Sequence, residues 1–377
     1  MKFSIIKKTP NSLARRGLLQ LAHGKVQTPA FMPCATGGAV KGISAEELQS
    51  LGYELILANT YHLYLRPGEK EIRKLGGLNK FMNWPKPILT DSGGYQVFSL
   101  GKNWRALNPR PNYSGEMAFA SLVEVNSEGV WFKSHLDGSK HFFSPEKVLA
   151  IQNDLGSDIA MVLDECTEFP ATFERARESL AMTHHWAKRS REYWQRFKNP
   201  RQALFGIIQG STYKNLREIS AKYIASLDFD GLAVGGVSVG EGKTKMYKVM
   251  RWLGPWLDKD KPHYLMGVGE PEDIMEAVKR GFDLFDCVLP TRLGRHGTVW
   301  VTTNWQKFRR LDLRQAQYRQ DKKVIMKDCG CPACSSGYSR AYIGHLVKAK
   351  EMLGMRLASL HNLWLINELM KKIRQSI

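Results

Sequence analysis

From Thr28 onward, short apolar runs alternate with longer segments whose apolar positions recur at helical spacing. The pattern predicts strands over 30–35, 55–59, 87–90, 159–163, 203–208, 231–234, 263–266 and 284–289. Between them it predicts helices over 44–51, 145–155, 173–197, 214–227, 243–257 and 271–280. Ser144 supplies a cap, and Pro271 sits at the first turn of its helix. Strands and helices that alternate at these lengths imply right-handed crossovers. Eight strands is the number that closes a parallel barrel, so the expected fold class is α/β, a (β/α)8 TIM barrel. An open doubly wound sheet is the alternative.

Three regions depart from the alternation. Residues 1–27 are expected to form a small β-hairpin or lid at the N-terminal end of the barrel. The stretch 101–141 is too long for a simple connection, and 118–125 and 129–134 are expected as extra antiparallel strands, with Asn108 to Asn112 as an exposed loop. From Ala341 the period is helical, with Leu346, Leu353, Leu357, Leu360 and Leu363 on its apolar positions. The expected domains are therefore an N-terminal β lid (1–27), a catalytic barrel (28–300) and a basic, helical C-terminal region (301–377).

The ends of the predicted strands carry the chemistry. Apolar runs end at Asp91, Asp164, Gln209 and Asp286, and in a parallel barrel the strand C-termini form the active site. One strand-end acid alone is ordinarily a helix cap or loop ion pair; three acids and a glutamine together point to a shared site. Two carboxylates facing a sugar carbon can act as nucleophile and general acid or base through an oxocarbenium-like transition state. Asp164 and Gln209, with the backbone of Val234-Gly235-Gly236-Val237, offer the acceptors and donors needed to read a purine edge. Tyr95 and Met266 are candidates to sandwich a flat ring. Asp286-Cys287-Val288-Leu289-Pro290-Thr291-Arg292 runs from an acid into a basic loop that includes Arg295, an arrangement suited to a negatively charged polymer beside a nucleophile.

Charge strengthens that reading. The chain of 377 residues carries a formal net charge of +19. Seventeen Lys or Arg against five Asp or Glu from Arg292 onward place +12 of it in the last 86 residues. Basic charge concentrated beside an acidic site favours phosphate-backbone contact over a merely solvated surface. Gly236 to Thr244 is not a phosphate-binding loop, because five residues rather than four separate Gly236 from Gly242. No Ser-His-Asp or Cys-His arrangement emerges.

Six cysteines are present. Cys329, Cys331 and Cys334 lie too close together to pair with one another and form a metal-site pattern, with His361 or His345 as a fourth ligand. Cys34, Cys166 and Cys287 are scattered in apolar contexts. A reducing compartment follows, and with no signal peptide and no apolar run of about 20 residues, a soluble cytoplasmic protein away from membranes is expected.

Taken together, Asp91-Ser92-Gly93-Gly94-Tyr95-Gln96-Val97-Phe98, Asp164-Glu165-Cys166-Thr167, Gly231-Leu232-Ala233-Val234-Gly235-Gly236, Tyr264-Leu265-Met266-Gly267-Val268-Gly269 and Asp286 to Arg292 closely resemble the bacterial queuine tRNA-ribosyltransferase (tRNA-guanine transglycosylase) family. The resemblance covers nearly the whole chain. It implies a zinc-containing (β/α)8 barrel that exchanges the wobble guanine of tRNAs with a GUN anticodon for 7-aminomethyl-7-deazaguanine, in queuosine biosynthesis, with queuine as the alternative incoming base. It further implies Asp286 as covalent nucleophile and Asp91 as general acid/base. Asp164, Gln209 and Gly236 would recognise the base, with Ser92, Cys166 and Val237 nearby and Tyr95 and Met266 stacking. Arg292 and Arg295 would grip the flanking nucleotides. Cys329, Cys331, Cys334 and His361 would hold one structural zinc ion per chain, and the assembly would be a homodimer. The sequence departs from the family's usual pattern at Val237, in a longer interval between Cys334 and His361, and in a segment inserted at 100–115. A non-catalytic tRNA-binding paralogue and a glycoside hydrolase are the rival readings.

Overall fold

Three antiparallel strands open the chain: β1 (Lys2–Lys8), β2 (Arg15–Leu21) and β3 (Gly24–Thr28). Parallel strands follow at β4 (Ala30–Ala35), β5 (Ile56–Ala58) and β6 (Ile88–Thr90). An antiparallel sheet intervenes, made of β7 (Val123–Asn126), β8 (Gly129–Lys133) and β9 (Lys140–Phe143). The parallel series resumes with β10 (Ile159–Met161), β11 (Ala203–Ile208), β12 (Gly231–Val234), β13 (His263–Leu265) and β14 (Leu284–Cys287). The eight parallel strands close into a barrel, with β14 paired back onto β4 from Leu284↔Ala30 to Cys287↔Pro33. The computed structural model describes residues 1–99, 123–197 and 199–377.

By packing, the chain divides into two compact units. The first comprises Met1, Ala58–Phe81 and Ile88–Lys261. Every residue of β11 and β12 is buried, as expected of parallel strands covered on both faces. Gln152, on the helix Pro145–Leu155, satisfies both Met161 backbone groups at 2.9 Å and accepts from Thr90 Oγ1 at 2.9 Å, which locks β6 and β10 from behind.

The second unit comprises Lys2–Leu57, Met82–Pro87 and Pro262–Ile377. Arg15 on β2 reaches Asp283, the residue before β14, through Nε–Oδ1 at 3.0 Å and Nη2–Oδ2 at 2.6 Å. Asp283 also accepts from the His263 amide at the start of β13 at 2.8 Å. All three residues are buried, so a bidentate carboxylate with a third donor fastens the N-terminal sheet to the N-terminal ends of barrel strands.

Several elements differ from the sequence expectation. The N-terminal segment has three strands, not two. The run 284–289 is a strand only to Cys287; Leu289–Arg295 is a helix rather than a basic loop, because Pro290 in its first turn has no N–H to satisfy. The segment 243–257 is helical to Leu253 and then tightens into the 3-10 turn Gly254–Trp256 at Pro255, whose ring cannot continue the ladder. Short helices at Thr60–Leu65, Glu69–Lys74 and Leu78–Phe81 were not expected. The C-terminal region is not wholly helical: β15 (Thr298–Thr302) and β16 (Phe308–Asp312) form a hairpin before the helices Arg340–Lys348 and Met352–Ser376, which Lys350 separates at φ 60°. Of the expected strand 118–125 only Val123 onward is described. The loop Asn108 to Asn112 and the segment 100–115 lie outside the described residues. Among those residues no helix is long and apolar enough to cross a membrane.

Candidate active site and metal centre

Asp91 follows β6 directly. Its Oδ1 accepts from the Thr60 amide at 2.9 Å and the Gly93 amide at 3.2 Å, while Oδ2 accepts from Asn59 Nδ2 at 2.5 Å. Asn59 also caps the helix Thr60–Leu65, its Oδ1 accepting from the His62 amide at 3.1 Å. One side chain therefore fixes both a helix start and the carboxylate above it, which leaves Asp91 a single orientation.

A second group gathers in the same unit. Asp164 is buried and accepts from Gln209 Nε2 at 2.6 Å and from Ser92 Oγ at 3.4 Å. Burial pushes its carboxyl up to about 6, against the opposing pull of the Gln209 and Ser92 hydrogen bonds. Gln209 Oε1 is buried with no hydrogen-bond partner, an acceptor left for something not supplied by the described residues. Gly235 and Gly236 lie against that amide: a Cβ at Gly235 would fall 2.6 Å from Gln209 Nε2, and one at Gly236 2.3 Å from Gln209 Oε1. Gly236 also has φ 62°, so backbone conformation and space both demand glycine. Cys166 is partly buried, its thiol pushed up to about 12 by burial, so it stays a neutral surface of the site. Val237 is buried beside Gly236. Tyr95, in a segment helical over 94–99, is 53% exposed, which suits a ring that meets a ligand better than one filling a core.

In the second unit, Asp286 on β14 accepts at Oδ1 from Tyr264 Oη at 2.6 Å and from the Gly267 amide at 2.8 Å. Its Oδ2 faces the Cys34 thiol at 3.5 Å, a weak donor. Burial raises the carboxyl above the usual carboxylate range, and the Tyr264, Gly267 and Cys34 bonds draw it part of the way back. Oδ1 is held by two strong donors and Oδ2 only by the weakly donating thiol, so Oδ2 is the less constrained oxygen. Cys287 beside it is pushed up to about 11, again by burial, and is no competing thiolate. Met266, just beyond β13, is half-buried. Arg292 is exposed and Arg295 half-buried on the helix that follows Asp286. Neither has an ion-pair partner among the described residues, and burial followed by Arg292's charge lowers the Arg295 guanidinium below its ordinary value. Two unneutralised cations one helical turn apart favour an anion.

A Cys3His group able to hold a metal ion belongs to the same unit. Cys329, Cys331, Cys334 and His361 are all buried, with one ligand atom from each lying within 4.8 Å of the others. His361 Nδ1 is 3.5, 3.3 and 3.6 Å from the sulfurs of Cys329, Cys331 and Cys334. The corresponding edge of a tetrahedron built from zinc–sulfur and zinc–nitrogen bonds is about 3.6 Å. His361 Nε2 bonds the Trp300 carbonyl at 2.7 Å, which fixes the tautomer that presents Nδ1 to a metal. His345 is exposed and outside this group. The next residue after His361, Asn362, donates to the carbonyls of Pro290 and Thr298 at 3.0 Å each, and its Oδ1 accepts from the Trp300 amide at 3.0 Å. A Cβ at Gly294 would lie 2.5 Å from the Ser359 amide. The helix that carries His361 thus grips the helix that carries Arg292 and Arg295.

The donors that hold the acids were missed from sequence. Asn59, Thr60 and Gly267 lie just past the ends of barrel strands, so the strand-end rule that found the acids would have found them too, whereas Tyr264 lies inside β13 and reads as core. Cys34, a small thiol inside the apolar run of β4, gave no such signal.

A family model described as queuine tRNA-ribosyltransferase matches residues 10–377. A protein of that name from Caldanaerobacter subterraneus subsp. tengcongensis is 49% identical over 377 residues, covering 100% of this chain and 93% of the relative. Namesakes from Thermoanaerobacter pseudethanolicus and Pelotomaculum thermopropionicum are 47% and 48% identical over the whole of this chain, covering 93% and 94% of their own lengths. Matched along nearly its full length by that model and by relatives close to half identical, the chain belongs to the queuine tRNA-ribosyltransferase family.

Proposed function

We propose that the chain is a tRNA-guanine transglycosylase of queuosine synthesis, exchanging the wobble guanine of GUN-anticodon tRNAs for 7-aminomethyl-7-deazaguanine. Asp286 Oδ2 attacks the ribose C1′ as the glycosidic bond to guanine N9 breaks, and Asp91 gives a proton to the leaving base. The incoming base then loses its own N9 proton to Asp91, and its N9 takes C1′ from the Asp286 ester. Glycosidic bond energy is kept in the covalent intermediate, so no nucleotide is consumed. Asp164, Gln209 and Gly236 read the purine edge, Ser92, Cys166 and Val237 shape its surroundings, and Tyr95 and Met266 stack on its faces. Arg292 and Arg295 take phosphates on either side of the flipped nucleotide. The unpartnered Gln209 Oε1 beside a buried carboxylate carries this reading, because it leaves an acceptor pair facing the donors of a purine.

The Cys3His group fits zinc: three soft thiols and one imidazole at tetrahedral spacing, with four protein ligands and no open position, make a structural ion. Residues 301–377 are then a zinc-bearing, tRNA-contacting region, residues 28–300 the catalytic barrel, and 1–27 its N-terminal closure. A homodimer in the cytoplasm is the expected setting, and the mass in solution tests the first part.

The deciding test is entry of labelled guanine into a GUN-anticodon transcript, beside one whose wobble guanine is replaced. Label is expected in the first only. Asp286→Ala is expected to abolish both exchange and the covalent protein–tRNA band on a denaturing gel, with tRNA binding and zinc content retained. Exchange by the variant would remove Asp286 from the nucleophile's role. Competition between the aminomethyl base and queuine identifies the natural incoming base.

A further inference from the structure

Arg217 lies on the helix Lys214–Ser226, is fully buried, and makes no ion pair among the described residues. Its guanidinium is spent on backbone carbonyls. Nε donates to Ser211 at 2.7 Å, Nη1 to Ile208 at 3.0 Å and to Gly235 at 2.8 Å, and Nη2 to Gly236 at 3.0 Å. Ile208 and Ser211 bracket Gln209 in sequence, and Gly235 and Gly236 are the residues packed against its amide. All four acceptors thus belong to, or directly adjoin, the two loops proposed to read the base.

Those loops need an external template. Gly210 at φ 127°, Ser211 at φ 50° and Gly236 at φ 62° all have positive φ, and a Cβ at Gly210 would lie 2.9 Å from the Arg217 amide. A buried cation with no carboxylate bonded to it is costly unless its hydrogen bonds are good. Burial lowers this one to about 10, with the Glu241 carboxylate opposing the shift, so it remains charged at neutral pH. A planar fork with several N–H groups can serve four carbonyls from two loops at once; an ammonium is a single point donor.

We propose that Arg217 is the positioning residue of the purine pocket, its buried guanidinium holding the Gln209 loop and the Gly235–Gly236 loop in the register that aims the free Gln209 Oε1 and the Gly236 backbone at one base. The inference rests on the purine-exchange reading of the site. It assigns Arg217 to base affinity rather than to tRNA binding or to the covalent step.

Two variants test it, Arg217→Lys and Arg217→Met, each checked for melting temperature and zinc content. Titration calorimetry with 7-aminomethyl-7-deazaguanine measures base binding without any reaction, and exchange kinetics separate KM for base from KM for tRNA and from kcat. In Arg217→Lys the base Kd and base KM are expected to rise about tenfold, with tRNA KM within about twofold and kcat within about threefold, as for loss of charge-assisted bonds that set geometry. Arg217→Met is expected to weaken base binding further with the same split. Unchanged base affinity in folded variants would overturn the inference, as would a fall in kcat alone, or failure of both variants to fold, either of which assigns Arg217 to the fold in general. If the wild type binds the base but exchanges none, the transglycosylase reading fails while the Arg217 assignment is still decided by the titration.

Discussion

The carboxyl of Asp164 stands at about 6 in the fold against 3.8 in a free chain, because burial penalises the charge more than Gln209 and Ser92 favour it. Between those two values the native state binds more protons than the unfolded state, so stability falls as pH rises through that window. At pH 7.5 the ionised form therefore costs stability, on the order of 3 kcal/mol. Asp164→Asn is expected to raise the melting temperature at pH 7.5 and to leave it unchanged near pH 3, where both side chains are neutral. On the proposed reading the same carboxylate accepts from purine N–H groups, so base KM in the wild type is expected to rise as pH falls through about 6. Exchange kinetics between about pH 5 and 8 check this; a flat base KM would remove Asp164 from base recognition. Asp91, Asp164 and Asp286 were legible in the sequence because each ends an apolar run. Their donors were less so: Tyr264 reads as strand core, and Arg217 reads as one more basic residue on an amphipathic helix until its burial is seen.

The helix Met352–Ser376 joins two features that the sequence presents separately. It brings His361 to the three thiols and, one residue on, uses Asn362 to hold Pro290, Thr298 and Trp300. Its leucine period announced the helix, and the thiol spacing announced the metal site. The link between the two depends on pairings of residues far apart in the chain, and the helical form of Leu289–Arg295 depends on what Pro290 does at a first turn; periodicity shows neither. The barrel strands were more legible, because β11 and β12 are buried on both faces and read as unbroken apolar runs. Loss of the proposed zinc is therefore expected to act first on the arginine helix. After chelation the Cys329, Cys331 and Cys334 thiols are expected to become reactive toward a thiol reagent, the melting temperature to fall, and tRNA KM to rise more than base affinity changes by titration. Equal loss of both would place the metal's effect on the fold in general instead.

Net charge acts at longer range than any of these contacts. Of the +19 carried by the chain, +12 lies from Arg292 to the C-terminus, a stretch contained within the second compact unit. The asymmetry could be counted from sequence, but the share of it already committed to acids could not. Arg310 pairs with Glu270, Arg314 with Asp312 at 2.8 Å and Arg340 with Asp321 at 3.0 Å, whereas Arg292 and Arg295 have no ion pair among the described residues. Cations left unpaired are the ones that can displace counterions from a polyanion, and each phosphate they neutralise contributes about 0.7 to 0.9 to the slope of log affinity against log salt. The tRNA Kd is therefore expected to rise steeply with salt, while the Kd of guanine, a neutral base, stays within about twofold over 50 to 200 mM. Replacing both Arg292 and Arg295 by Ala is expected to weaken tRNA at every salt concentration and to reduce the magnitude of the slope by about 1.5, with guanine binding unchanged. Filter binding across a salt series measures both slopes. A double variant that keeps the wild-type slope would take these two arginines off the phosphates, and a wild-type slope near zero would make the basic stretch a solvated surface that leaves tRNA affinity to contacts with the bases.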